Sequence, residues 1–284
     1  MTARLRYVEC PRDAWQSLPH VVPTDDKIAF TEALIAAGFT ELDVVSFVSP
    51  KAVPQLADSE DVLAGLTIPS HIDIIGIIGN ERGYERALAT KKVTTVAYPH
   101  SANETFQQRN LNSTVAQSWQ RVEALAARAR ADGLNLQVYI SMGFGNPYNE
   151  PWSAHETAGL AARVHELTGR PAILADTAGT GTKERVAAVL AATTEQGLAA
   201  SDIGLHLHAA PNRWQELLES AVAHGVTWFE GALAGQGGCP FAADELVGNI
   251  PSEQVVPFLT ARGYSTTIDT TQLAALSAHA TRLA

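Results

Sequence analysis

Eight short apolar runs recur along the 284 residues, over 5–9, 41–47, 72–78, 93–98, 136–141, 172–175, 203–208 and 226–231. The third is apolar almost throughout, as a strand covered on both faces must be. Most of the runs are followed by a stretch whose apolar residues recur with helical spacing, notably over 24–37, 59–66, 83–89, 114–131, 154–167, 183–195 and 213–224. Thr24 stands at the first of these as a cap, Asp25 and Asp26 suit its first turn, and Gly38 ends it. The polar segment 10–16 reads as a loop. Strands alternating with helices at this spacing form parallel βαβ units. Eight such units in a chain of this length predict a single-domain (β/α)8 TIM barrel over 1–284, with a helical C-terminal segment over about 251–284. An open dinucleotide-binding sheet would carry Gly-x-Gly-x-x-Gly after its first strand, and the chain has none there.

Composition narrows the function classes. Hydrophobic residues make up 46% and charged residues 18%, the balance of a globular protein. A net charge of -10 argues against nucleic-acid binding, which needs a basic stripe. Two cysteines, Cys10 and Cys239, are too few for a disulfide framework and fit a reducing, cytoplasmic setting. The first residues lead into the first strand without an apolar secretory core, and no run is long enough to span a bilayer.

In such a barrel, functional side chains stand at the C-terminal ends of the strands. Read in order, those ends offer Arg12, Asp13 and Gln16, then Asp43 and Ser46, His100, Asp176 and Thr177, and finally His206 and His208. His206 and His208 are two apart in an extended run, so their imidazoles share a face. With Asp13 they form three corners of a site for a divalent ion such as Mg²⁺, Mn²⁺, Zn²⁺ or Fe²⁺. The fork of Arg12 suits a carboxylate or an enolate oxygen. Gly235-Gln236-Gly237-Gly238-Cys239-Pro240 follows the last strand and brings a cysteine toward the barrel mouth on a glycine-rich loop. Cys10 reads as a buried, inert thiol.

These motifs together resemble the 3-hydroxy-3-methylglutaryl-CoA lyase family of the metal-dependent lyase and Claisen-synthase barrels. The resemblance rests on Pro11-Arg12-Asp13-Ala14-Trp15-Gln16, Ser46-Phe47-Val48-Ser49-Pro50-Lys51, Asn110-Leu111-Asn112, Asp176-Thr177-Ala178-Gly179, His206-Leu207-His208, Gly237-Gly238-Cys239-Pro240-Phe241 and Gly248-Asn249, in order along nearly the whole chain. It implies that Asp13, His206, His208 and Asn249 hold a divalent cation, Mg²⁺ or Mn²⁺. It implies that Arg12 stabilises an enolate with Asp43 behind it, and that Cys239 transfers a proton. Arg12, Asp13, His206 and Cys239 are then the catalytic candidates, and Gln16, Asp43, Ser46, Asp176 and Thr177 the substrate-binding ones. The implied reaction is the retro-Claisen cleavage of a hydroxy-acid thioester of CoA, in a homodimer.

The chain departs from the family pattern at Ala209-Ala210-Pro211, where polar residues are usual, and at Ala14-Trp15, where the family has Gly-Leu. It departs again at Pro19, which takes the place of a lysine, and beyond Leu283, where the family's Asn-Arg-Lys segment finds no match. The indole of Trp15 stands where it can narrow or reshape the pocket. Two alternatives follow: a related retro-aldol or Claisen lyase for another hydroxy acid, with or without a thioester, and a barrel without catalysis that serves in binding.

Overall fold

In the computed structural model, which describes residues 3–239, 242 and 246–284, the strands close a parallel barrel in sequence order, β1 pairing with β8. The strands are β1 (Arg6–Glu9), β2 (Glu41–Ser46), β3 (Asp73–Ile77), β4 (Thr95–Ser101), β5 (Asn135–Ser141), β6 (Ala172–Asp176), β7 (Ile203–Leu207) and β8 (Trp228–Gly231). The helices are α1 (Pro11–Gln16), α2 (Thr24–Ala36), α3 (Ser59–Gly65), α4 (Glu81–Thr90), α5 (Glu104–Leu111), α6 (Val115–Asp132), α7 (Ala154–Thr168), α8 (Lys183–Glu195), α9 (Trp214–Ala223), α10 (Ser252–Thr260) and α11 (Leu273–Leu283). The expected (β/α)8 barrel is the fold. No helix among the described residues is long and apolar enough to cross a membrane.

Period-two alternation divides most of the strands between two cores. Val8, Cys10, Ile75, Ile77, Ala97, Tyr139, Ile173, Ala175 and Trp228 fill the barrel, while alternate residues such as Tyr7, Val96, Tyr98 and Val138 face the helices. At the N-terminal end the barrel is closed by polar contacts: Arg6 pairs with Glu41 at 2.6 Å and lies 3.3 Å from the Trp228 ring centre. The C-terminal end stays open.

Four local expectations change. Segment 11–16 is a helix, not a loop: Pro11 at its first position loses no hydrogen bond, and the turn is too short to show periodicity. Pro23, not Thr24, caps α2, and the Thr24 hydroxyl donates instead to Asp58 at 2.7 Å. Helix α5 was not expected, because Phe106 and Gln107 are its only buried residues. His208 lies just past β7 and makes a single bridge to Asn249.

Trp15 also differs from expectation. It does not line the cavity at the barrel mouth; it is 2% exposed and packs edge-on against Phe30 of α2, with the buried Lys27 ammonium 5.9 Å from its ring. Trp15→Phe should therefore lower unfolding free energy by about 1–3 kcal/mol and leave KM at the wild-type value. A changed KM with unchanged thermal stability would put the indole back in the substrate's path.

Candidate active site at the barrel mouth

Arg12, Asp13 and Gln16 project from one turn of α1, which starts one residue after β1 ends. Arg12 is 7% exposed, and each of its three guanidinium nitrogens is held, with one Nη2 N–H left over. Nε donates to both Asp43 oxygens at 3.1 Å, Nη2 to Asp43 Oδ2 at 2.5 Å, and Nη1 to Asp13 Oδ1 at 3.2 Å and Gln16 Oε1 at 3.0 Å. This bidentate grip fixes the plane of the fork. Gln16 returns the contact by donating to Asp13 Oδ1 at 2.6 Å. Burial acts to raise the Asp13 carboxyl, but Arg12, with His208 and His206, outweighs it and brings the group down to about 2. Asp13 is thus ionised at neutral pH.

The two histidines meet this anion from β7. Nδ1 of His206 lies 3.0 Å from Glu230 Oε2, and Nδ1 of His208 lies 2.8 Å from the Val247 carbonyl. Each acceptor places the proton on Nδ1 and turns Nε2 toward the site. The two Nε2 atoms are 2.9 Å apart, and His208 Nε2 is 3.8 Å from Asp13 Oδ2. Two nitrogen lone pairs cannot face each other at that distance without a positive charge between them. Burial disfavours the charged form of both rings. Glu230 overcomes this at His206 and raises it, whereas burial and the neighbouring His206 bring His208 down to about 4.

Asn249 completes the cluster. Its Nδ2 donates to Asp13 Oδ2 at 2.6 Å and to the Gln236 carbonyl at 2.9 Å, while its Oδ1 is buried and accepts no hydrogen bond. Ligand atoms of Asp13, His206 and His208 all lie within 4.8 Å of one another. An ion with bonds of about 2.1 Å sets neighbouring ligands about 3 Å apart and opposite ones about 4 Å apart, so the set fits a divalent cation. Three acidic side chains, Asp13, Asp43 and Glu230, are buried here beside one guanidinium. The Asn249 oxygen beside this set is a buried acceptor with no hydrogen-bond partner.

A cavity of about 360 Å³ opens over the cluster. Arg12, Asp13, Gln16, Ser46, Thr177, His206, His208 and Cys239 line it; Asp43, Asp176 and Asn249 do not. Asp43 stands behind Arg12. Asp176 ties down the loop after β6, accepting the N–H groups of Thr180 and Gly181 at 2.9 Å each. His100 does not join the rim: its Nδ1 meets Ser118 of α6 at 2.9 Å and its ring packs edge-on to Trp119, so it lies in the helix layer. Cys239 is partly buried on the cavity wall; Pro240 and Phe241 of its motif lie outside the described residues. Cys10 is fully buried in the barrel interior.

Several wall and support residues were not anticipated. Glu230, fully buried, orients His206 and also accepts from Gln137 Nε2 at 3.0 Å. Tyr139 faces His206 edge-on, ring centres 5.6 Å apart, and its buried hydroxyl has no hydrogen-bond partner. Arg109 of α5 lies on the cavity wall, its guanidinium 4.9 Å from the Tyr148 ring centre. The period-two phase of β5 and β8 was the available signal for Tyr139 and Glu230.

Comparison with known proteins agrees with this geometry. The HMGL-like family model matches residues 8–279. The mitochondrial hydroxymethylglutaryl-CoA lyase of Rattus norvegicus is 33% identical over 275 residues, 95% of this chain and 82% of that protein. A crystal structure of the HMG-CoA lyase from Brucella melitensis superposes with a TM-score of 0.92 at 32% identity, covering 99% of each chain. An HMG-CoA lyase from Acinetobacter baumannii in complex with coenzyme A and 3-methylmalate superposes at 0.91 and 31% identity, over 100% of this chain and 93% of that one. The chain belongs to the HMGL-like family and is, like these relatives, a carbon–carbon lyase.

Proposed function

We propose that the protein is a divalent-metal-dependent lyase that cleaves a 3-hydroxy-3-methylglutaryl-CoA-like thioester into an acetyl thioester and an acetoacetate-like ketone. The observation that carries this reading is the convergence of Asp13, His206 and His208 beneath a cavity whose wall also presents Arg12 and Cys239. Asp13, His206, His208 and Asn249 hold the cation, Mg²⁺ or Mn²⁺. When bound, it acidifies the substrate's tertiary hydroxyl and polarises the leaving ketone.

The chain's own groups do the rest. A carboxylate oxygen of Asp13, on the cavity wall, takes the hydroxyl proton as general base. The adjacent carbon–carbon bond then breaks, and its electron pair passes to the thioester as an enolate. Arg12, its fork locked by Asp43, faces that oxygen with a charge already in place, which stabilises it as an oxyanion hole does. Cys239 delivers the proton that turns the enolate into the acetyl thioester. Gln16, Ser46 and Thr177 are the polar contacts for the substrate on the wall, with Asp43 and Asp176 acting from behind it.

A second reading keeps the site and changes the acid. The A. baumannii relative was crystallised with coenzyme A and 3-methylmalate, a different hydroxy acid. Purified protein should release acetyl-CoA from 3-hydroxy-3-methylglutaryl-CoA when Mn²⁺ or Mg²⁺ is present and lose that activity on chelation. Acetyl-CoA from other 3-hydroxyacyl thioesters alone would favour the second reading. No cleavage of any thioester or free hydroxy acid by metal-loaded protein would exclude both.

A further inference from the structure

Glu9 is fully buried, yet it belongs neither to the cavity wall nor to the ligand cluster. Its side chain leaves β1 on the outer face, in phase with Tyr7 and out of phase with Val8 and Cys10. One carboxyl oxygen accepts the Leu233 N–H at 2.7 Å. The other accepts the Ser252 hydroxyl at 2.5 Å, and that hydroxyl accepts from Tyr7 at 2.9 Å. The next amide, that of Ala234, donates to Glu253 at 2.9 Å. Ala234 has φ 61°, the left-handed region, so two successive N–H groups of this turn are each held by a carboxylate.

The turn leads straight to the metal cluster. Two residues after Ala234, the Gln236 carbonyl accepts both the Asn249 backbone N–H, at 3.4 Å, and Asn249 Nδ2, at 2.9 Å. That same Nδ2 donates to Asp13 at 2.6 Å. The Gln236 carbonyl and Asp13 together hold Nδ2, which leaves Oδ1 as the unpartnered end of the Asn249 amide.

We propose that Glu9 is a positioning residue for the metal site: it fixes the turn after β8, the turn fixes the Gln236 carbonyl, and the carbonyl orients the Asn249 amide so that Oδ1 is the atom offered to the ion. The inference rests on the metal site proposed above. Burial pushes the Glu9 carboxyl up to about 8, and glutamine is its neutral isostere.

The test is Mn²⁺ affinity, read by electron paramagnetic resonance on the full chain. E9A should weaken Mn²⁺ binding by about 10–100-fold, E9Q should restore it nearly to wild type, and S252A should fall between. If Glu9 acts through Asn249, the E9A/N249A double variant should bind no more weakly than N249A alone. Wild-type affinity in E9A, or losses that multiply in the double variant, would overturn the proposal. Should E9A fail to fold, S252A decides: a wild-type Kd there overturns it and a raised one supports it. A wild-type protein with no Mn²⁺ affinity sinks the metal site itself, whereas normal affinity in both wild type and E9A sinks only the role of Glu9.

Discussion

Cys239→Ser is expected to lower kcat by about 10²–10⁴-fold while Mn²⁺ affinity stays at the wild-type value. The thiol stands on the cavity wall but outside the cluster of Asp13, His206 and His208, so the ion has no use for it. Serine keeps its shape and loses its acidity, and only a step that needs a proton from that position feels the change. Alkylation offers an independent reading of the same residue. Cys10 is fully buried, and burial pushes its thiol well up, so it stays protonated and unreactive. One equivalent of iodoacetamide should therefore react, at Cys239, and abolish turnover. A serine variant that turns over at the full rate would remove Cys239 from the mechanism. Weakened Mn²⁺ binding in it would instead make the residue part of the metal site.

The barrel was readable because its strands are buried on both faces, which leaves near-continuous apolar runs such as 72–78 between helical stretches. What failed was local and has local causes. Segment 11–16 holds a single turn, too short for a 3.6-residue period to register, and its charges are those of a site rather than of a solvated surface. In α5, polar residues dominate, because the helix roofs the cavity with Arg109 and Leu111 instead of burying a wide apolar face. His100 was misplaced although the signal existed: it is in phase with Val96 and Tyr98, which face the helices, whereas Ala97 and Pro99 face inward.

The site was readable in its chemistry, and in its support only at Asp43 behind Arg12. Two imidazoles two residues apart announce themselves by spacing alone. Asn249 does not; by itself an asparagine after a glycine reads as an ordinary turn, and only the family resemblance of Gly248-Asn249 singled it out before tertiary structure set it against Asp13, 236 residues away in the chain. Glu230 and Glu9 lie in strands whose burial would ordinarily forbid a carboxylate. Such residues persist where a partner needs them, and here the partners are His206 and the turn at Leu233. Trp15 illustrates the opposite error, a large side chain beside catalytic residues that belongs wholly to the packing between α1 and α2.

Gly237→Ala is expected to weaken Mn²⁺ binding by about 10–100-fold and to lower turnover with it. Gly237 has φ +101°, where an L-residue costs about 1–3 kcal/mol. That cost alone would leave the ion site standing. The decisive contact is steric: a methyl group there would lie 2.6 Å from Asn249 Nδ2 and 2.8 Å from Asp13 Oδ2. Neither can retreat, because Asn249 is tied to the Gln236 carbonyl and Asp13 to Gln16 and Arg12. Gly133→Ala separates the two effects. Gly133 also has positive φ, +74°, but a methyl group there meets nothing within 4 Å. It should lose comparable thermal stability and keep both Mn²⁺ affinity and kcat. If the two variants bind Mn²⁺ equally well, Asp13 and Asn249 are free to move apart, and the rigid four-donor cluster on which the proposed chemistry depends does not exist in solution.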